Sequence, residues 1–386
     1  MTQTPPDNHD EPTPIVDFDP VDGPASAESN TLPASSPIEN NAFPPIEETT
    51  SHWFRRAAFP GIEAILWMVG TLIAMVSGSV AGVVAVGVLL AATGSGGGFS
   101  PDLLEKEAML PAVIGSQVFL IGFAALGVFL RFGTHCLQTL GLRRLTNGHV
   151  LAIVGLTLPV QFLAHSWSTW VNELLDSIGI SLSTQDYLDQ MQQIMSAGPL
   201  AVMWLLMAVS PAVGEELIFR GLIGNVLLKN WGPWLGVIAT SILFGVIHIM
   251  PVQAIDVIPL GIAMHYVYLM TKSFWAPVLL HLANNSLALV MMESAGEISD
   301  ADSMDQSLGL PSITVSALTA ACLAAILFQT RRRRATAADV IDSSQDQQPI
   351  PTARLLTAAP ANGLTIAAAV LSLLGNVALV VLAFAE

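Results

Sequence analysis

The chain has 386 residues, of which 52% are hydrophobic by type and only 11% charged. An ordinary soluble domain carries roughly 25% charge to keep its surface wet, so this composition argues against a soluble enzyme and for a polytopic membrane protein. The net charge of -16 belongs to one end, since residues 1–50 hold ten Asp or Glu and no Lys or Arg, and 14 basic residues in the whole chain form no stripe for a nucleic-acid partner.

In chain order, residues 1–52 read as a disordered, acidic, Pro-rich tail, with ten prolines in the first fifty residues. The tail lacks the basic start and short apolar core of a signal peptide, which leaves membrane entry to the first span. Apolar runs near 62–91, 110–130, 150–167, 199–219, 233–250, 254–271, 274–292, 311–329 and 363–385 give about nine helices of spanning length. The predicted fold is therefore all-α, a polytopic transmembrane bundle of eight to nine spans. Basic residues flank alternate ends: Arg55 and Arg56, Arg131, Arg143 and Arg144, Arg220 and Lys229, Lys272, and Arg331 to Arg334. The opposite loops carry acid and one base, Lys106, so the N-terminus is expected in the cytoplasm, the C-terminus outside, and the chain in the cell membrane. Residues 168–196, with Trp170, Leu174, Leu175 and Ile178 on one helical face, read as an amphipathic surface segment or as a short helix capping the bundle. Cys136 and Cys322 lie far apart and suggest neither a disulfide nor a zinc site.

Three polar blocks interrupt the apolar runs. The first, Pro211 to Arg220, contains Glu215, Glu216 and Arg220. Three unpaired ionisable groups at membrane depth would cost roughly 8 to 10 kcal/mol. Glu216 and Arg220 are four apart in acid-before-base order and pair along one face, whereas Glu215 lies about 100° further round and needs another partner. Alone, this block also fits a helix end at the membrane surface. The second block ends the fifth run with Phe244 and His248, and the third places His281, Asn284 and Asn285 in the seventh. A single histidine in an apolar run is more often a bonded core residue than a catalyst; six polar groups in three spans are harder to explain as packing. With a turn at Asn230-Trp231-Gly232-Pro233, Glu215 and His248 each lie about 16 residues, or about 24 Å, from the bend and come level in an antiparallel hairpin. His281 reaches that level only if the turn between spans six and seven is recessed into the protein. His265 reads as packed and hydrogen-bonded, and Asp256 as solvated at the outer boundary.

These blocks resemble the Glu-Glu-x-x-x-Arg, Phe-x-x-x-His and His-x-x-x-Asn motifs of the CPBP family, the CAAX proteases and bacteriocin-processing enzymes also called the Abi family. The resemblance covers about residues 150 to 295. Other membrane proteases find no match: there is no His-Glu-x-x-His and no Gly-x-Gly-Asp, and Gly94-Ser95-Gly96 lacks the rhomboid pattern. With it the chain divides into the tail (1–52), N-terminal spans and loop (53–148), a protease core (149–295), an eighth span with a basic stop (296–334), a polar linker (335–361) and a last helix (362–386), which is peripheral to the core.

The resemblance implies an intramembrane endopeptidase. Glu215, helped by His248, activates water; His281 and Asn285 face the carbonyl oxygen; Glu216 and Arg220 form a supporting pair, with Phe244 beside them. A metal version, with Glu215, His248 and His281 around a divalent ion such as zinc, competes with a cofactor-free one. The expected partners are membrane lipid and a peptide or protein, with a lipidated C-terminus in the CAAX branch. Two further readings stand: a proton- or ion-coupled transporter, and a non-catalytic binding or immunity protein.

Overall fold

The computed structural model describes residues 59–92, 101–297, 310–334, 356–358 and 361–383. The acidic tail, the Gly94–Gly96 loop and most of the 335–361 linker lie outside the described residues. The described chain is helical apart from a short antiparallel pairing of Arg332–Arg334 with Leu356–Ala358. Among the described residues, seven helices are long and apolar enough to cross a membrane, as in an integral membrane protein.

The seven and the expected nine differ at two places. The fourth and fifth expected spans form one helical run, Leu200–Val246, of 47 residues. Straight, such a run would measure about 70 Å, more than twice the hydrocarbon thickness of about 30 Å. It bends at Gly232, whose φ of 80° and ψ of 173° only glycine adopts without strain, just before Pro233. Past the bend Gly236 lies directly on the backbone of Leu228, and Phe219 meets Phe244 edge-to-face at 5.1 Å, so the expected hairpin forms. The expected ninth span is a helix, Gly363–Ala383, of which residues 363–378 are counted as a shorter apolar helix.

Helices α1 (Pro60–Ala92) and α2 (Pro101–Phe132) pack antiparallel. Their partners run in opposite order: Gly70 against Phe123, Gly78 against Gly115, Gly82 against Pro111. Gly78 and Gly82 form a small-x-x-x-small stripe that lets the two backbones touch, as membrane helices use in place of hydrophobic attraction. At the far end Arg131 and Glu63 close the pair with a 3.0 Å ion pair. A 3-10 turn (Gly133–His135) leads into α3 (Cys136–Leu140), which stops at Gly141 in the left-handed conformation, φ 68°.

Helix α4 (Asn147–Ser177) starts with the Thr146 side chain capping His149 N and packs on four later helices. It runs through residues 168–177, correcting the expected surface segment: Trp170, Leu174 and Ile178 are outward residues on the end of a membrane helix. The amphipathic helix of that region is the separate α5 (Thr184–Met195), capped by Ser183. The long run comprises α6 (Leu200–Trp204), a π-helical turn (Leu205–Val209), α7 (Ser210–Glu216), a second π-helical turn (Leu217–Ile223) and α8 (Gly224–Val246). Then follow α9 (Pro251–Thr271), α10 (Trp275–Glu297), α11 (Leu310–Gln329) and α12 (Gly363–Ala383).

The core gathers around α7 and its π turns, where Leu120, Ile153, Phe219, Leu222, Phe244, Met264 and Leu280 are fully buried. Outward positions such as Leu151 and Trp234 are exposed and apolar, the pattern of a surface meant for lipid. Helix α12 lies outside α11, held by polar contacts within the pair. Ser316 donates to Asn376 Oδ1 at 2.7 Å, and Asn376 Nδ2 donates to Thr319 Oγ1 at 2.5 Å. Both cysteines are free and partly buried.

Candidate active site

Glu216 and Arg220 form the predicted pair, with Arg220 Nη1 donating to Glu216 Oε1 at 2.8 Å and both side chains fully buried. Arg220 spends a second donor, Nη2, on the Gly261 carbonyl of α9 at 3.0 Å, and its guanidinium carbon stands 5.3 Å from the centre of the Phe244 ring. A cation removed from water is thus offset by a carboxylate, a carbonyl and an aromatic face. Gly261 was not singled out by sequence reasoning, because a main-chain acceptor on another helix leaves no mark on residue type.

His281 brings the third block onto the same carboxylate. Its Nδ1 lies 3.0 Å from Glu216 Oε1, and its Nε2 is 4.0 Å from Glu215 Oε2. His248 is placed in parallel fashion: Nδ1 lies 2.8 Å from the Phe244 carbonyl, and Nε2 is 4.0 Å from the same Glu215 oxygen. A carbonyl only accepts, so His248 carries a proton on Nδ1 and turns Nε2 toward Glu215. Glu215 Oε2 is buried and has no hydrogen-bond partner among the described residues. Two imidazole nitrogens and one carboxylate oxygen therefore face each other across gaps wider than a hydrogen bond.

Phe244 is the hub of this arrangement. Its ring meets those of Phe219, His248 and His281 edge-to-face at 5.1, 5.1 and 5.7 Å. Packed on four sides, it fixes the planes of both imidazoles and the position of the guanidinium.

The recess required for His281 is present. The turn after α9 puts Lys272 in the left-handed conformation and buries Thr271, Ser273 and Phe274 under the segment that follows α3. Phe274 N donates to Gly141 O at 3.1 Å, and Ser273 Oγ donates to Arg143 O at 2.5 Å. That cover sinks the turn below the bundle end and lowers His281 to the level of Glu215.

Asn285, one turn beyond His281, is less directly placed. Its Nδ2 donates to the Met207 carbonyl at 3.1 Å. Met207 lies in the first π-helical turn, four residues before Pro211, which has no N–H to give back to it. Sequence reasoning also missed the π-helical turns on either side of α7; such turns insert one extra residue and often occur at functional sites.

His265 is packed and hydrogen-bonded, as expected: it is fully buried with Nδ1 3.2 Å from Gly261 O. Asp256 departs from the solvated reading. Its Oδ1 is buried without a hydrogen-bond partner among the described residues. The reason is α5, which lies over this end of α9. Burial, with the charge of Asp256 adding to it, pushes the Tyr187 phenol of α5 up to about 12.

The donor set bears on metal binding. Zinc holds nitrogen and oxygen ligands at about 2.0 to 2.2 Å and needs them gathered around one point. Among the described residues no group of three His, Cys, Asp or Glu side chains is gathered closely enough to hold a metal ion. Glu215, His248 and His281, as placed, do not fit one.

Comparison with known proteins agrees with the motifs. Residues 197–287 match the family described as type II CAAX prenyl endopeptidase Rce1-like. A 90-residue stretch is 29% identical to a Bacillus subtilis (strain 168) protein named "Putative membrane peptidase YdiL", covering 22% of this chain and 37% of that protein. The match thus spans little over a third of the relative's length. No solved structure matches. All seven residues of the three motifs fall between 197 and 287, within the segment that matches the type II CAAX prenyl endopeptidase Rce1-like family.

Proposed function

We propose that this chain is an intramembrane endopeptidase that hydrolyses a peptide bond with water activated by Glu215 and His248. The observation that carries the reading is the convergence of two imidazole Nε2 atoms on Glu215 Oε2, each at 4.0 Å, with both Nδ1 atoms already engaged. A water in that space gives one proton to Glu215 while His248 Nε2 accepts its other hydrogen and aims its oxygen at the scissile carbon. The C–N bond breaks as the proton passes from Glu215 to the leaving amine. His281, held at its Nδ1 by Glu216, turns Nε2 toward the carbonyl oxygen, and Asn285 exchanges the Met207 carbonyl for the same oxygen. Glu216 and Arg220 hold His281, and Phe244 holds both rings. No step needs a metal.

The distribution of Lys and Arg supports an N-terminus in the cytoplasm and a C-terminus outside, in the cell membrane. The substrate class is a peptide or protein, and the family's CAAX branch makes a prenylated C-terminus the first to assay. The test compares purified wild type, Glu215→Ala and His248→Ala on a prenylated C-terminal peptide and on a general peptide library. Cleavage by wild type and its loss in Glu215→Ala are expected; equal turnover by the two overturns the mechanism.

A further inference from the structure

Beside the catalytic run lies a cavity of about 480 Å³, walled by α1 and α2, closed on one side by α5 and reaching Met207 of the first π-helical turn. Its position relates it to the site. Gln117, in its wall, accepts a hydrogen bond from Ser210 at the start of α7 at 2.9 Å, and Met207 is the residue whose carbonyl holds Asn285. One turn along α2 from Gln117, Leu120 packs on Gly214, the neighbour of Glu215. The cavity therefore ends about one helical turn, near 5.4 Å of rise, from the level of Glu215.

Its chemistry narrows the occupant. The lining has no charged residue but carries three carboxamides, Gln117, Gln190 and Gln193, and the Ser79 and Ser116 hydroxyls, among apolar Val113 and Met207. A carboxamide offers a donor and an acceptor side by side, the complement of a peptide group, whereas an acyl chain offers neither. A charged side chain would meet no counter-charge.

We propose that this cavity seats the substrate's uncharged, extended segment on one side of the scissile bond, with the carboxamides of Gln190 and Gln193 pairing with its main chain. The inference rests on the endopeptidase reading and adds where the substrate lies and what side chains it tolerates.

The test separates the two. Full-length Glu215→Ala protein in lipid nanodiscs is photolysed with a pool of uncharged hexapeptides carrying a central diazirine residue, and adducts are mapped by mass spectrometry. Adducts on Met109, Val113 and Ile194, reduced about fivefold or more by Gln190→Leu with Gln193→Leu, are expected. Adducts elsewhere, or none, overturn the proposal, as does labelling of the same three residues by a photoactivatable phospholipid that the peptides fail to displace. This arm needs no turnover, so loss of the catalytic reading alone leaves it intact. In otherwise wild-type protein, Gln193→Glu is expected to move the cleaved population toward Lys- and Arg-containing peptides by about tenfold, and unchanged selectivity overturns the subsite.

Discussion

Asn285 and Met207 are joined by a hydrogen bond, side-chain amide to main-chain oxygen, at 3.1 Å. Pro211, four residues on, supplies no N–H to compete for that carbonyl. The bond parks the amide one turn from His281, ready to exchange acceptors. Asn285→Ala is expected to lower kcat by about 10² to 10³, the usual cost of one oxyanion donor, while lowering stability by only about 1 kcal/mol. Steady-state kinetics beside thermal unfolding in detergent checks both; a collapse of the fold would make Asn285 structural.

The buried pair predicts an asymmetry between single and double replacement. Arg220→Met alone leaves Glu216 charged and uncompensated, and destabilisation of about 3 to 5 kcal/mol is expected. Arg220→Met combined with Glu216→Leu removes both charges, so most of that stability returns while peptide cleavage does not. Equilibrium unfolding of the three proteins measures the coupling. Equal instability of single and double variants would contradict it.

Chelation tests the donor geometry. Since Glu215, His248 and His281 are not gathered around a metal position, cleavage is expected to survive exhaustive dialysis against chelator, with no stoichiometric metal in elemental analysis. Activity that falls and returns with one added zinc per chain would show that these three residues close up in the working enzyme.

Tyr187 gives a pH signature outside the membrane spans. Its phenol is held neutral by burial first and by Asp256 second, with the pKa pushed up to about 12. An acid with a raised folded-state pKa contributes its full stability below the unfolded value of about 10 and loses it as pH climbs toward 12. The ultraviolet difference between wild type and Tyr187→Phe should titrate near 12, and Asp256→Asn should lower that midpoint only in part, because burial remains. A midpoint near 10 would detach α5 from α9.

Much of the site was legible because helix periodicity is local. Glu216 with Arg220, Phe244 with His248, and His281 with Asn285 are each four apart and need no tertiary information to share a face. The hairpin that levels Glu215 with His248 was also readable, since Asn230-Trp231-Gly232-Pro233 carries the turn in its residue types. Features set by contact between distant segments were not. The recess under His281 depends on Gly141 and Arg143, about 130 residues before the turn they cover. The end of α4 and the start of α5 were merged, because apolar spacing does not say where a helix leaves the membrane. The π-helical turns depend on how the Leu200–Val246 run packs and carry no distinctive residue pattern.

The contacts of Asn376 with Ser316 and Thr319 join two helices that are made at different times. Helix α11 leaves the ribosome about fifty residues before Asn376 does, as their numbers in the chain require. In that interval Thr319 has the carbonyl of Val315 to bond to, whereas the acceptor that Ser316 uses in the folded protein comes with α12. Completing α11 is thus a late event in assembly, and a chain cut short before residue 363 would present that hydroxyl to lipid, marking an unfinished molecule to whatever surveys the membrane for polar groups left bare.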